Sequence, residues 1–147
     1  MNILTIDPGA SGGLALWDSY DKTIALYKMP DGMTEQVALI EELGKGAKAY
    51  IEKVGTYVPG NSATAAVKFA RHCGHLEAAL YCFGIPSAQV APGVWMKVLG
   101  RLPKKKSERK SAIKERLQRM YPYLKLTLST SDALGMMRWA LSEEGKL

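Results

Sequence analysis

Asp7, Glu52 and Asp132 are the residues from which cation-assisted phosphoryl chemistry could be built in this chain. Asp7 ends an apolar run and is followed by Pro8-Gly9-Ala10-Ser11-Gly12-Gly13, a turn that leads the chain back. A carboxylate fixed at a strand end beside flexible backbone suits a metal or phosphate site; a plain turn aspartate is the alternative. Glu52 lies between Ile51 and Val54 in a run suited to a sheet interior. Burying an ionised carboxylate there is costly unless it is paired or bound to metal, although alternation along the strand could turn it to solvent instead. Asp132 opens the last helical pattern, where the helix dipole favours an acid without any chemistry, and Ser129-x-x-Asp132 is a variant of the capping box.

The three acids gain meaning as a set. Two Mg²⁺ ions about 4 Å apart need carboxylates converging from separate elements, one ion serving the attacking water and the other the leaving oxygen. An aspartate on the first strand, a glutamate on a middle strand and an aspartate on the last helix make such a set.

The elements that must position them can be read from periodicity. Ile3 to Ile6, Gly13 to Trp17 and Thr23 to Tyr27 are β-rich runs separated by turn residues, an antiparallel meander. Thr34 is the expected N-cap of a helix carrying Val37, Leu39, Ile40 and Leu43, and Ala49 to Val54 returns as a strand. Asn61 or Ser62 caps a long helix reaching about Phe83, Ile85 to Val90 is a last strand, and Pro92 starts a short helix. Further helices are expected over Ser107 to Met120 and Ser131 to Glu144. On the long helix, Lys68, Arg71, His72 and His75 form a basic stripe, either a solvated face or a contact surface.

Composition bounds the class. With 147 residues, 47% hydrophobic and 23% charged, the chain matches one globular domain rather than a disordered segment. Cys73 and Cys82 fall on opposite sides of one predicted helix, so both are expected to be free thiols. No leader-like segment opens the chain, and glycines and prolines interrupt the uncharged stretch from Ala78 to Met96, so a cytoplasmic protein without a membrane span is expected. The net charge of +6 is concentrated: Arg101 to Arg119 holds nine Lys/Arg against Glu108 and Glu115. One basic segment points to a polyanionic partner met mainly there.

Taken in order, Ile6-Asp7-Pro8-Gly9 with Ser11-Gly12-Gly13-Leu14-Ala15, Ile51-Glu52-Lys53-Val54, Gly60-Asn61-Ser62-Ala63 with Gly74, Pro92-x-x-Trp95-x-x-Val98-Leu99-Gly100 with the following lysines, and Ser131-Asp132-Ala133-Leu134 resemble the RuvC-like Holliday junction resolvases of the RNase H-like superfamily, bacteriophage members included. The resemblance covers nearly the whole chain. It implies a single α/β nuclease domain over residues 1–147, with a mixed five-stranded sheet (the meander plus two further strands) flanked by helices. It further implies a homodimer, branched DNA as partner, Mg²⁺ or Mn²⁺ as cofactor, and Asp7, Glu52 and Asp132 as catalytic metal ligands. The family has a fourth acid one helical turn before the last aspartate, where this chain has Ser129, a weaker ligand. It also places an aromatic shortly after the glutamate; Tyr57 is the nearest equivalent, as a base-stacking wedge or as a surface tyrosine. Lys104, Lys105 and Lys106, with Arg109 and Lys110, are the expected phosphate contacts, the alternative being a solubilising charge run.

Three other readings stay open on sequence. One is a nuclease of the same superfamily acting on RNA or an RNA–DNA hybrid. Another is a junction-binding protein impaired in catalysis by Ser129. The third is a sugar-kinase or actin-like fold suggested by the glycine turn after Asp7, which needs two domains and a longer chain than this one.

Overall fold

The computed structural model describes residues 1–55 and 60–147. Three antiparallel strands come first, β1 (Asn2–Asp7), β2 (Gly13–Trp17) and β3 (Ile24–Lys28), the expected meander. Helix α1 (Met33–Gly44) leads to β4 (Ala47–Glu52), and α2 (Ala63–Cys82) leads to β5 (Ser87–Val90). The chain closes with a short α3 (Pro92–Trp95), a 3-10 turn over Met96–Leu99, α4 (Lys106–Met120) and α5 (Leu128–Glu143). Strand order is β3-β2-β1-β4-β5, with β1, β4 and β5 mutually parallel, so the sheet is mixed and five-stranded.

Both sheet faces are covered, which explains why β1 and β4 read as nearly continuous apolar runs. Side-chain alternation divides them. Leu4, Ile6, Leu14, Ala49 and Ile51 form one core with Ile40 and Leu43 of α1 and Leu76 and Leu80 of α2. Ile3, Ala15, Trp17, Tyr50 and Val90 form the other, with Trp95, with Ile113 and Leu117 of α4, and with Leu134, Met137 and Leu141 of α5. No helix among the described residues is long and apolar enough to cross a membrane.

Helix starts differ from expectation in two places. Gly32, without a side-chain cap, precedes α1, so Thr34 lies within the first turn. For α5 the cap is Thr127, which forms a capping box with Thr130. The helix therefore begins three residues earlier than the apolar pattern indicated, and Asp132 sits in its second turn. By contrast, Ser62 caps α2 as expected, its hydroxyl accepting from the Ala65 amide at 3.2 Å.

Candidate active site

Asp7 and Glu52 end adjacent parallel strands, one step beyond the paired Ile6 and Ile51. Alternation sends Ile6 and Ile51 into the core beneath α1 and α2, so Asp7 and Glu52 both emerge on the opposite face, the one covered by α5. Register thus answers the alternative left open for Glu52: its side chain enters a cavity rather than open solvent. Carboxyl ends of strands where the sheet reverses its direction of growth are where open α/β sheets place ligands.

Asp132 reaches the same cavity from α5. With Thr127 and Thr130 satisfying the helix start, the capping role proposed for Asp132 falls away. One device holds α5 at this spot: the buried Thr5 hydroxyl, in the middle of β1, donates to the Ala133 carbonyl at 2.7 Å. On the other side of Asp7, Gly12 lies so close to the Asp7 carbonyl that a Cβ would come within 2.1 Å of it, which only glycine avoids.

The resulting cavity is about 250 Å³ and is lined by the three acids and by Lys106, Arg109 and Lys110. Those cations sit at i, i+3 and i+4 on α4 and so share one face. Lys104 and Lys105 lie outside the cavity and are exposed; the Lys104 carbonyl accepts from Arg109, and Lys105 pairs with Glu108 at 4.0 Å. Ser129 is half-buried in the first turn of α5, does not line the cavity, and presses its carbonyl against Gly13. Tyr57 falls outside the described residues. The basic stripe on α2 is divided: Lys68 and Arg71 are exposed, whereas His72 and His75 both approach the buried Gln36 of α1. The Gln36 amide nitrogen donates to the Pro30 carbonyl, which leaves its oxygen to accept from both imidazoles.

Electrostatics marks the acids as a unit. Burial pushes the Asp7 carboxyl up to about 8, helped by Asp132 and Glu52 and opposed by Lys110. Burial likewise pushes Glu52 up to about 7; a hydrogen bond from Trp95 opposes the rise, Asp132 adds to it and Lys110 opposes it. Asp132 is raised by burial against the pull of Lys110 and Arg109. Three carboxyls whose charged forms are disfavoured, with oxygen as the only donor atom they offer, fit a hard divalent cation. Among the described residues, no three His, Cys, Asp or Glu side chains are gathered closely about one ion position.

Two features were not foreseen from sequence. Trp95, to which the sequence assigns no role beyond its place in the Pro92-x-x-Trp95 motif, donates its indole N–H to Glu52 Oε2 at 2.7 Å. Thr5 was read as a strand residue; a hydroxyl amid Ile3, Leu4 and Ile6 was the available signal that a buried partner existed.

No protein-family model matches the chain, and no curated protein matches it by sequence. Solved structures do match. The RuvC structure of Thermus thermophilus superposes with a TM-score of 0.59 and 16% identity over 99% of this chain and 98% of its own. T. thermophilus RuvC in complex with Holliday junction substrate gives 0.55 and 17%, over 99% and 97%. The Holliday junction resolvase of fowlpox virus gives 0.56 and 15%, over the full length of both chains. At such identities the likeness is one of architecture: the chain has the RNase H-like fold of the RuvC-type resolvases.

Proposed function

We propose that this protein is a structure-selective endonuclease that hydrolyses phosphodiesters at four-way or branched DNA junctions, with Mg²⁺ or Mn²⁺ held by Asp7, Glu52 and Asp132. The observation that carries the reading is the meeting of these three acids, from β1, β4 and α5, in one cavity rimmed by Lys106, Arg109 and Lys110. Carboxylates alone would repel a phosphodiester, and cations alone would bind it without cutting. Side by side they provide for both binding and hydrolysis.

The divalent cation, when bound, supplies Lewis acidity at the phosphorus and a more acidic water. The protein's own part is orientation and charge. Asp7 and Glu52, fixed by strand register, and Asp132, fixed by the docking of α5 on Thr5, present oxygens to the cavity. Lys106, Arg109 and Lys110 draw in the phosphate, and Lys110, whose charge acts on all three carboxyls, is placed to balance charge developing on the scissile group. In the hydrolysis, water oxygen bonds to phosphorus, one bridging P–O bond breaks, and the departing oxygen takes a proton. The exposed first turns of α2, with Ala63, Ala66 and Val67 facing solvent, support the expectation of a homodimer.

Ser129 favours a second reading, a branched-DNA binder impaired in cutting, since a hydroxyl stands one turn before Asp132 where the resemblance implies an acid. One experiment separates the two. A labelled synthetic four-way junction is incubated in Mg²⁺ or Mn²⁺ with the natural chain, with Asp7→Asn and with Ser129→Asp. The nuclease reading expects cutting by the natural chain and at least a thousandfold less, roughly, by Asp7→Asn, with unchanged binding. Cutting by Ser129→Asp alone supports the second reading, and equal cutting by Asp7→Asn removes Asp7 from the mechanism.

A further inference from the structure

Trp95 is wholly buried, yet it carries a polar N–H that must find a partner. The partner is Glu52 Oε2, 2.7 Å away, at the short end of the range for an N–H···O hydrogen bond. Its position is secured from behind. Gly135, one turn beyond Asp132 on α5, lies under the indole, and a Cβ there would come within 2.5 Å of Cζ3 and 2.9 Å of Cε3. Pro92, which begins α3, and Met96, which follows it, also line the cavity, so the segment bearing Trp95 borders the site. A tryptophan used only as filling would not need its N–H aimed at a carboxylate of the cavity, nor a glycine hollow in the neighbouring helix.

We propose that Trp95 is a positioning residue: its indole N–H, seated by the Gly135 hollow, fixes the Glu52 carboxylate so that Oε1 is the oxygen offered to the cation and substrate. This rests on the nuclease reading for its consequence in catalysis, but the cation-binding part stands apart from activity. Glu52 ends a strand and has two free side-chain torsions beyond Cβ, so without an anchor its carboxylate would sample several orientations. Orientation by a neighbouring group typically contributes tenfold to a hundredfold in metal affinity or rate.

The test uses ¹⁵N-labelled protein, whose three tryptophans give three indole N–H resonances. The Trp95 signal is identified by its loss in Trp95→Phe. Mg²⁺ titrated into the natural chain should move this resonance, and Glu52→Gln should move it and abolish the response to Mg²⁺. Calorimetric titration of Mg²⁺ should show about tenfold weaker binding by Trp95→Phe. Gly135→Ala, which keeps the indole but fills its hollow, should weaken Mg²⁺ in the same direction; because the two variants disturb packing differently, agreement between them does not follow from loss of fold. On junction DNA, Trp95→Phe should lower kcat about tenfold with KM within about twofold. A Trp95 resonance indifferent to Mg²⁺, or Mg²⁺ affinity unchanged in both variants that melt cooperatively, overturns the proposal. If the natural chain does not cut, the nuclease reading fails while resonance and calorimetry still decide the role of Trp95.

Discussion

Burial and two neighbouring carboxylates act on Asp7 in the same direction, so its pKa of about 8 has a consequence for stability without a cation. A carboxyl raised on folding binds a proton in the native state that the unfolded chain has already released. Stability therefore falls as pH rises above the unfolded value of 3.8, and the loss levels off above about 8. In chelator, Asp7→Asn should melt several degrees higher than the natural chain at pH 8. The two should converge near pH 4, and Mg²⁺ should narrow the gap at pH 8. Thermal melts across this range check it; a gap independent of pH would mean that Asp7 is ionised in the native state throughout. Asp7 and Glu52 were legible in sequence because each is an acid set against an apolar run. Asp132 was legible as an acid, but its surroundings misled: Ser129 imitated a cap while the cap in use, Thr127 with Thr130, is a pair of threonines outside the apolar periodicity. Trp95 stood out only as part of the Pro92-x-x-Trp95 motif, and its bond to Glu52 was not legible, since a tryptophan on a short helix reads as core whichever way its N–H points.

At the scale of elements, α4 shows how helical phase sorts like charges. Nine cations crowd into Arg101 to Arg119, and sequence favoured Lys104, Lys105 and Lys106 as the phosphate contacts, of which only Lys106 lines the cavity. The helix begins at Lys106, so Lys106, Arg109 and Lys110 share the face turned to the acids, while Lys104 and Lys105 precede it. Exposed cations add to polyanion binding but contribute little to a particular step. Lys110→Met is accordingly expected to lower the cleavage rate about a hundredfold with modest change in binding. Lys104→Met and Lys105→Met should leave kcat intact and each reduce the salt slope of junction binding by about one. Single-turnover cleavage and binding across a salt series distinguish the classes, and an equal loss of rate from all three would dissolve the ranking. Strands were easier to read than helix ends, because β1 and β4 are covered on both faces and their apolar runs carry the fold directly, whereas the start of α5 depends on two threonine hydroxyls.

For the whole molecule, the same architecture separates the cavity of the three acids from a surface left uncovered. Asp7, Glu52, Asp132 and the α4 cations share one cavity at the carboxyl ends of β1 and β4. The last turns of α2 bury Leu76 and Leu80 against the sheet, but of its first turns only Phe69 is half-buried: Val67 is 58% exposed, and Ala63, Ala66 and Ala70 are exposed beside it. A helix that buries only its far end keeps an apolar flank for some other surface, and a symmetric four-way junction offers a twofold substrate that a twofold dimer would match. Val67→Glu places a charge in the centre of that flank. Because the position is exposed, the monomer should lose no more than about 0.5 kcal/mol. The expected outcome is a natural chain that sediments as a dimer and a variant that sediments as a monomer with the same melting temperature within about 2 °C. Junctions cut by the variant should then carry single nicks in place of paired ones. A variant that remains dimeric would move the interface off this flank of α2, and a natural chain that sediments as a monomer would remove the dimer from the proposed function while leaving the cavity and its three acids in place.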